Sequence, residues 1–103
     1  MIMNVNFQYV DVDVSDTLSA FTEEKLSKLF NRYEFVVGAD VFFKKDPNEP
    51  ENNAICSIRL SLPGPRLFAT SNEKKYEVAV RQTISDLERQ LKKRKAVVFK
   101  KVS

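Results

Sequence analysis

The residues of this 103-residue chain best placed to do chemistry are its cations. Their arrangement suits the binding of a polyanion better than the making or breaking of bonds. Lys25, Lys28 and Arg32 recur at steps of three and four residues. Lys74, Arg81, Arg89 and Lys92 form a second series, and Lys93, Arg94 and Lys95 extend it. From Arg89 to Ser103 there are seven basic residues and no acidic one, whereas residues 1–88 carry 10 basic and 14 acidic. The net charge of +3 therefore hides an acidic body with a basic end, a distribution that points to a directed polyanion contact. Other chemistries lack their parts. The sequence has no histidine, which removes the commonest general base and the commonest zinc ligand. Cys56 stands alone, excludes an intramolecular disulfide and falls on an apolar phase, as a small core residue does. Glu23 and Glu24, and the carboxylates Asp46, Glu49 and Glu51, lack the alternating spacing and terminal Glu of a calcium loop. The chain is expected not to be an enzyme, and to need no cofactor, metal or small-molecule substrate.

Several elements must position these cations. Residues 3–10 alternate, with Val5, Phe7 and Tyr9 on one face and Asn4, Asn6 and Gln8 on the other, which predicts a half-buried strand. Ser15 is a good N-cap and Asp16 suits the positive end of a helix. Leu18, Phe21, Leu26, Leu29, Phe30 and Tyr33 then form a helical stripe to about Tyr33. Lys25, Lys28 and Arg32 fall along one border of that stripe, with Asp16, Glu23, Glu24 and Glu34 on the far side. Residues 35–45 are dense in Val and Phe and predict a second strand, with Gly38 a candidate bend. Residues 46–53 are a polar, turn-rich loop. Ala54, Cys56, Ile58, Leu60 and Leu62 alternate against Ser57, Arg59 and Ser61 in a third strand. Pro63-Gly64-Pro65 turns the chain into a short fourth strand over 66–71, completing an antiparallel meander. A long helix from about Asn72 to Lys95 buries Tyr76, Val80, Ile84, Leu87 and Leu91 and carries the second basic series outward, interrupted by Glu77 and Glu88. The order β-α-β-β-β-α predicts a single α+β domain over residues 1–95, a four-stranded sheet with two helices packed on one face. Residues 96–103 read as a basic and apolar extension.

A basic helix end is in many proteins only a solvated face whose cations answer the helix dipole. Here the first helix also carries a basic border, the two helices must share one side of the sheet, and the cations continue past the second helix into Lys100 and Lys101, which favours phosphate binding without base readout. Most of the eight phenylalanines and three tyrosines sit on core faces. Phe42 and Phe68 fall on the opposite strand phase from their neighbours. No apolar run approaches the roughly 20 residues that span a bilayer, and the first residues lack the pattern of a signal peptide. A cytoplasmic protein with no membrane contact is expected.

Three segments carry a family resemblance: Glu24-Lys-Leu-Ser-Lys-Leu29, Leu67-Phe-Ala-Thr-Ser71 and Asp86-Leu-Glu-Arg-Gln-Leu-Lys-Lys93. With the element order, they make the chain similar to the ribosome hibernation factors, the family of the ribosome-associated inhibitor and of proteins once described as sigma-54 modulators. The resemblance covers about residues 3–95. It implies binding to rRNA of the small ribosomal subunit, in the cleft for mRNA and tRNA anticodon ends, and inhibition of translation by occupancy. The family's rRNA-facing basic positions match Lys25, Lys28, Arg89, Lys92 and Lys93; Arg32, Arg81, Arg94 and Lys95 join them from helix geometry alone. The chain resembles the short form, lacking a C-terminal dimerisation domain, and is expected to be a monomer. Its basic end departs from the acidic tail of some short members. The alternatives are a protein-interaction module acting on the transcription machinery and a general binder of structured RNA.

Overall fold

Alternation and helical periodicity each produce the element they predict, with shifted ends. A computed structural model describes the backbone of residues 4–102 and the side chains of residues 4–96. The order is β1 (Asn4–Tyr9), α1 (Asp16–Arg32), β2 (Gly38–Lys45), β3 (Ala54–Ser61), β4 (Leu67–Glu73) and α2 (Tyr76–Val102). The strands lie side by side in sequence order, β1 parallel to β2 and the rest antiparallel. Because β1 and β2 are parallel, the chain needs a crossover between them, and α1 is that crossover. The chain forms one α+β domain.

Both helices bury their stripes on the sheet face made by Val41, Phe43, Cys56, Ile58 and Leu60. Leu26 from α1 and Val80, Leu87 and Leu91 from α2 are fully buried there. Two threonines join the core unannounced by any apolar pattern. The Thr22 hydroxyl donates to the Leu18 carbonyl at 2.8 Å, and the Thr83 hydroxyl to that of Ala79 at 2.7 Å and of Cys56 at 3.2 Å. A hydroxyl satisfied in this way is buried at little cost. Burial pushes the Cys56 thiol up to about 12, with the Thr83 hydrogen bond pulling it back. It is therefore an inert core thiol in the folded chain.

Ser15 caps α1 as expected, its hydroxyl accepting from the Leu18 amide at 3.2 Å. Three boundaries differ. The strand expected from residue 35 begins at Gly38, after a turn in which the Val36 amide donates to the Tyr33 carbonyl. The second helix starts at Tyr76 and not near Asn72, because Asn72 and Glu73 pair with Ile55 and Ala54 and prolong β4. Its first backbone bond runs from the Ala79 amide to the Lys75 carbonyl. At the other end the helix backbone continues past Lys95 to Val102, since the sequence offers no Gly or Pro there to stop it. The start of the expected first strand at Met3 and the side chains of Lys100 and Lys101 lie outside the described residues.

Gly38 sits at a close approach of β2 to β1. It pairs with Asn4, and a Cβ built on it would sit 2.9 Å from the Asn4 carbonyl oxygen. Backbone cannot yield there as a side chain would. Gly38→Ala is expected to cost about 1–3 kcal/mol by prying the β1 edge away. Urea unfolding measures this cost, and amide exchange should show the loss concentrated in β1.

Candidate nucleic-acid interface

α1 and α2 run in the same direction across the sheet, so their outer borders face each other along their length. Contacts between them follow that order. Phe21 on α1 meets Arg81 on α2, Arg32 meets Glu88, and Tyr33 meets Lys95. On α1 the row is Phe21, Lys25, Lys28 and Arg32; on α2 it is Arg81, Ser85, Glu88, Lys92 and Lys95. Both advance by three and four residues, so each stays on one helix border.

The near end of the groove between the rows is built on Phe21. This ring belongs to the predicted core stripe but is only half-buried, at the core's rim. The Lys25 ammonium lies 5.4 Å from its centroid and the Arg81 guanidinium 5.7 Å. The ring thus holds a cation from each helix, an arrangement worth about 0.5–1 kcal/mol per pair at exposed sites. A hollow of about 230 Å³ is lined there by Lys25, Arg81, Ile84, Ser85 and Glu88.

Midway, Arg32 Nη1 donates to Glu88 Oε2 at 2.7 Å, joining the two helices through their side chains. This carboxylate also lines the hollow shared with Lys25 and Arg81. Burial first, and then the Glu88 charge, push the Tyr33 phenol above its ordinary value, while Arg32 pulls it down. Lys95 stands over the Tyr33 ring, 5.7 Å from its centroid, and with Arg32 and Phe35 lines a further hollow at the far end.

The expected basic residues are therefore not equivalent. Lys25, Arg32, Arg81 and Lys95 line the groove through direct contacts, with Lys28 and Lys92 exposed on its borders. Lys28 lies 3.8 Å from Glu24, one turn earlier, so the expected sorting of acids away from bases on α1 is incomplete. Arg89 and Lys93 are exposed farther round α2, and Arg89 is paired with Asp86. Arg94 is engaged by the fold itself. Its Nη1 donates to the Pro63 carbonyl at 3.0 Å and its Nη2 to the Pro65 carbonyl at 2.8 Å, clamping the β3–β4 turn. Gly64, at the middle of that turn, has φ +91°. Sequence reasoning gave Phe21 to the core alone and Glu88 only as an interruption of the basic series, whereas both belong to the groove. The signal for both was their place in the same three-and-four series as the cations.

The arrangement offers fixed positive charge over two helix borders, and the described residues hold no cluster of three or more His, Cys, Asp or Glu that could bind a metal ion. A family model described as "Sigma 54 modulation protein / S30EA ribosomal protein" matches residues 5–98. No curated protein sequence matches. Among solved structures, a ribosomal subunit interface protein from Coxiella burnetii superposes with a TM-score of 0.82 at 24% identity, covering 91% of this chain and 99% of that one. The Protein Y N-terminal domain from Thermus thermophilus superposes with a TM-score of 0.75 at 22% identity, covering 88% of this chain and 98% of that one. At these identities the two structures share the fold.

Proposed function

The chain belongs to the sigma 54 modulation protein / S30EA ribosomal protein family, and from that membership we propose that it is a ribosome hibernation factor. In this reading it binds rRNA of the small subunit, occupies the cleft used by mRNA and tRNA anticodon ends, and inhibits translation by occupancy. The names of the two structural neighbours, a ribosomal subunit interface protein and Protein Y, agree with it. The observation that carries the choice of surface is the pair of parallel cationic rows. Lys25, Lys28 and Arg32 face Arg81, Lys92 and Lys95 across one groove, with Arg89 and Lys93 on the outer flank of α2. Such a surface recognises the shape of folded RNA by its phosphates and does not read sequence. Arg94 contributes by holding its helix against the β3–β4 turn. The basic segment from residue 96 adds charge at the end of α2.

The experiment is co-sedimentation with small subunits and whole ribosomes across a salt series. Binding should fall linearly in log affinity against log salt. A single non-ribosomal protein partner captured equally well after nuclease treatment would instead favour the protein-interaction module. Equal affinity for arbitrary duplex RNA would favour a general RNA binder.

Glu88 gives a sharper test. It now neutralises Arg32, and the ribosome must take Arg32 away from it. Glu88→Gln removes the competitor, so affinity for ribosomes should rise, by up to about fivefold if the pair is worth up to about 1 kcal/mol. The salt slope should steepen by about 1 as Arg32 gains its own phosphate. Affinity unchanged or weakened would remove Arg32 from the interface.

A further inference from the structure

The helices cover one face of the sheet, and among the described residues nothing covers the other. Strand register sets its side chains in rows. Asn6, Asp40, Arg59 and Phe68 form one, and Gln8, Phe42, Ser57 and Thr70 the next. Phe42 is half-buried near the centre, with the Lys44 ammonium and the Arg59 guanidinium each 6.0 Å from its centroid. Phe68, on the β4 edge, is 53% exposed. It pairs with Arg59 and Phe42 with Ser57, which places the two rings two strands and two residues apart, about 12 Å by sheet geometry. Beside Phe42 lies a hollow of about 330 Å³, lined by Asn6, Gln8, Asp40 and Arg59 among others.

The charges there are partly committed. Asp40 accepts from Asn6 and from Arg59, both at 3.1 Å, and these two bonds hold its carboxyl below the usual range. Arg59 Nε is buried without a hydrogen-bond partner.

We propose that this open face is a second nucleic-acid surface, one that takes a single strand, with bases stacked on Phe42 and Phe68 and phosphates held by Arg59 and Lys44. A flat four-stranded sheet with exposed aromatics stacks two or three bases in other RNA binders. Rings serve any base because every base has a π-face, and nearby cations supply the charge complement to the backbone. Amides and hydroxyls surround the rings and can meet base edges. A protein partner fits less well. The apolar side chains here are separated by polar ones, and the face lacks the continuous apolar centre of a stable protein interface. The surface is distinct from the helix groove and does not depend on the ribosomal reading.

The test is fluorescence anisotropy of a labelled oligouridylate with the full chain and five variants, one of them Phe42→Ala combined with Phe68→Ala. Phe68→Ala alters only an exposed side chain, and Phe42→Ala is checked for folding by circular dichroism. Each should weaken oligouridylate binding roughly ten- to a hundredfold. Phe68→Tyr should retain binding, because the ring remains. A variant with Lys25, Lys28, Arg81 and Lys92 all changed to Glu should still bind the oligomer in a manner sensitive to Phe68, although it loses ribosomes. The proposal is overturned if the chain binds no oligouridylate, or if binding survives removal of both rings. It is also overturned if binding disappears with the helix charges while ignoring the rings. Self-association abolished by Phe68→Ala, without oligomer binding, would make the face a protein interface and overturn it too. Ribosome co-sedimentation of Phe68→Ala, read in parallel, keeps the fate of this face separate from that of the helix groove.

Discussion

Changing Lys25, Lys28, Arg81 and Lys92 together to Glu is expected to abolish co-sedimentation with ribosomes while leaving the domain folded. Four phosphate contacts correspond to a slope of log affinity against log salt of about −3 to −4. Charge reversal removes these contacts and adds repulsion at each, so the loss should exceed about a hundredfold near physiological salt. Folding should survive, because Lys28, Arg81 and Lys92 are exposed and Lys25 is half-exposed outside the core. The expected cost is the pair of cation contacts on Phe21, about 1–2 kcal/mol together, well below ordinary domain stability. Reversing only Arg89 and Lys93 is expected to weaken binding less, because they stand on the outer flank of α2 and Arg89 already has Asp86 as a partner. Sedimentation of the fourfold variant with ribosomes at wild-type strength would sink the groove as the contact surface. Equal losses from the two sets would move its centre to the outer flank.

The features of this surface legible in the sequence are those set by position along one helix. Three- and four-residue steps place Lys25, Lys28 and Arg32 on one border, and they place Arg81 with Lys92, whatever the helix packs against. The same local logic puts Phe42 and Phe68 on the open sheet face. Interactions between distant segments were not legible. That Glu88 meets Arg32 depends on the direction of α1 relative to α2, and that Arg94 reaches Pro63 and Pro65 depends on where α2 crosses the β3–β4 turn. Element ends were misplaced for a related reason. Asn72 and Glu73 carry no strong strand signal, yet β3 begins at Ala54 and offers them a ladder to complete. Thr22 and Thr83 look like polar interruptions of an apolar stripe until each finds a carbonyl one turn back.

Neighbouring phenylalanines in β2, on opposite phases of the strand, should respond to truncation very differently. Phe43 is fully buried and packs against three rings from two other elements. Its centroid lies 5.0 Å from Tyr9 and 6.4 Å from Phe7 on β1, and 5.6 Å from Tyr76 at the start of α2. Removing it leaves a cavity that two strands and a helix must line, and none can collapse without disturbing the others. Phe43→Ala is therefore expected to cost about 3–5 kcal/mol, a large share of the roughly 5–15 kcal/mol that holds an ordinary domain together. Its melting temperature should fall by well over 10 °C, at about 4–8 °C per kcal/mol for a domain near this size. Phe43→Leu, which refills most of the space, should recover much of the loss. Phe42→Ala opens no cavity, because its ring lies on the uncovered face between Lys44 and Arg59; about 1 kcal/mol is expected. Thermal and urea unfolding of the three variants measure the contrast. If Phe42→Ala proved the more damaging, the strand phase that separates the helix-covered core from the open face would be wrong. Both proposed nucleic-acid surfaces would then lose the geometry on which they rest.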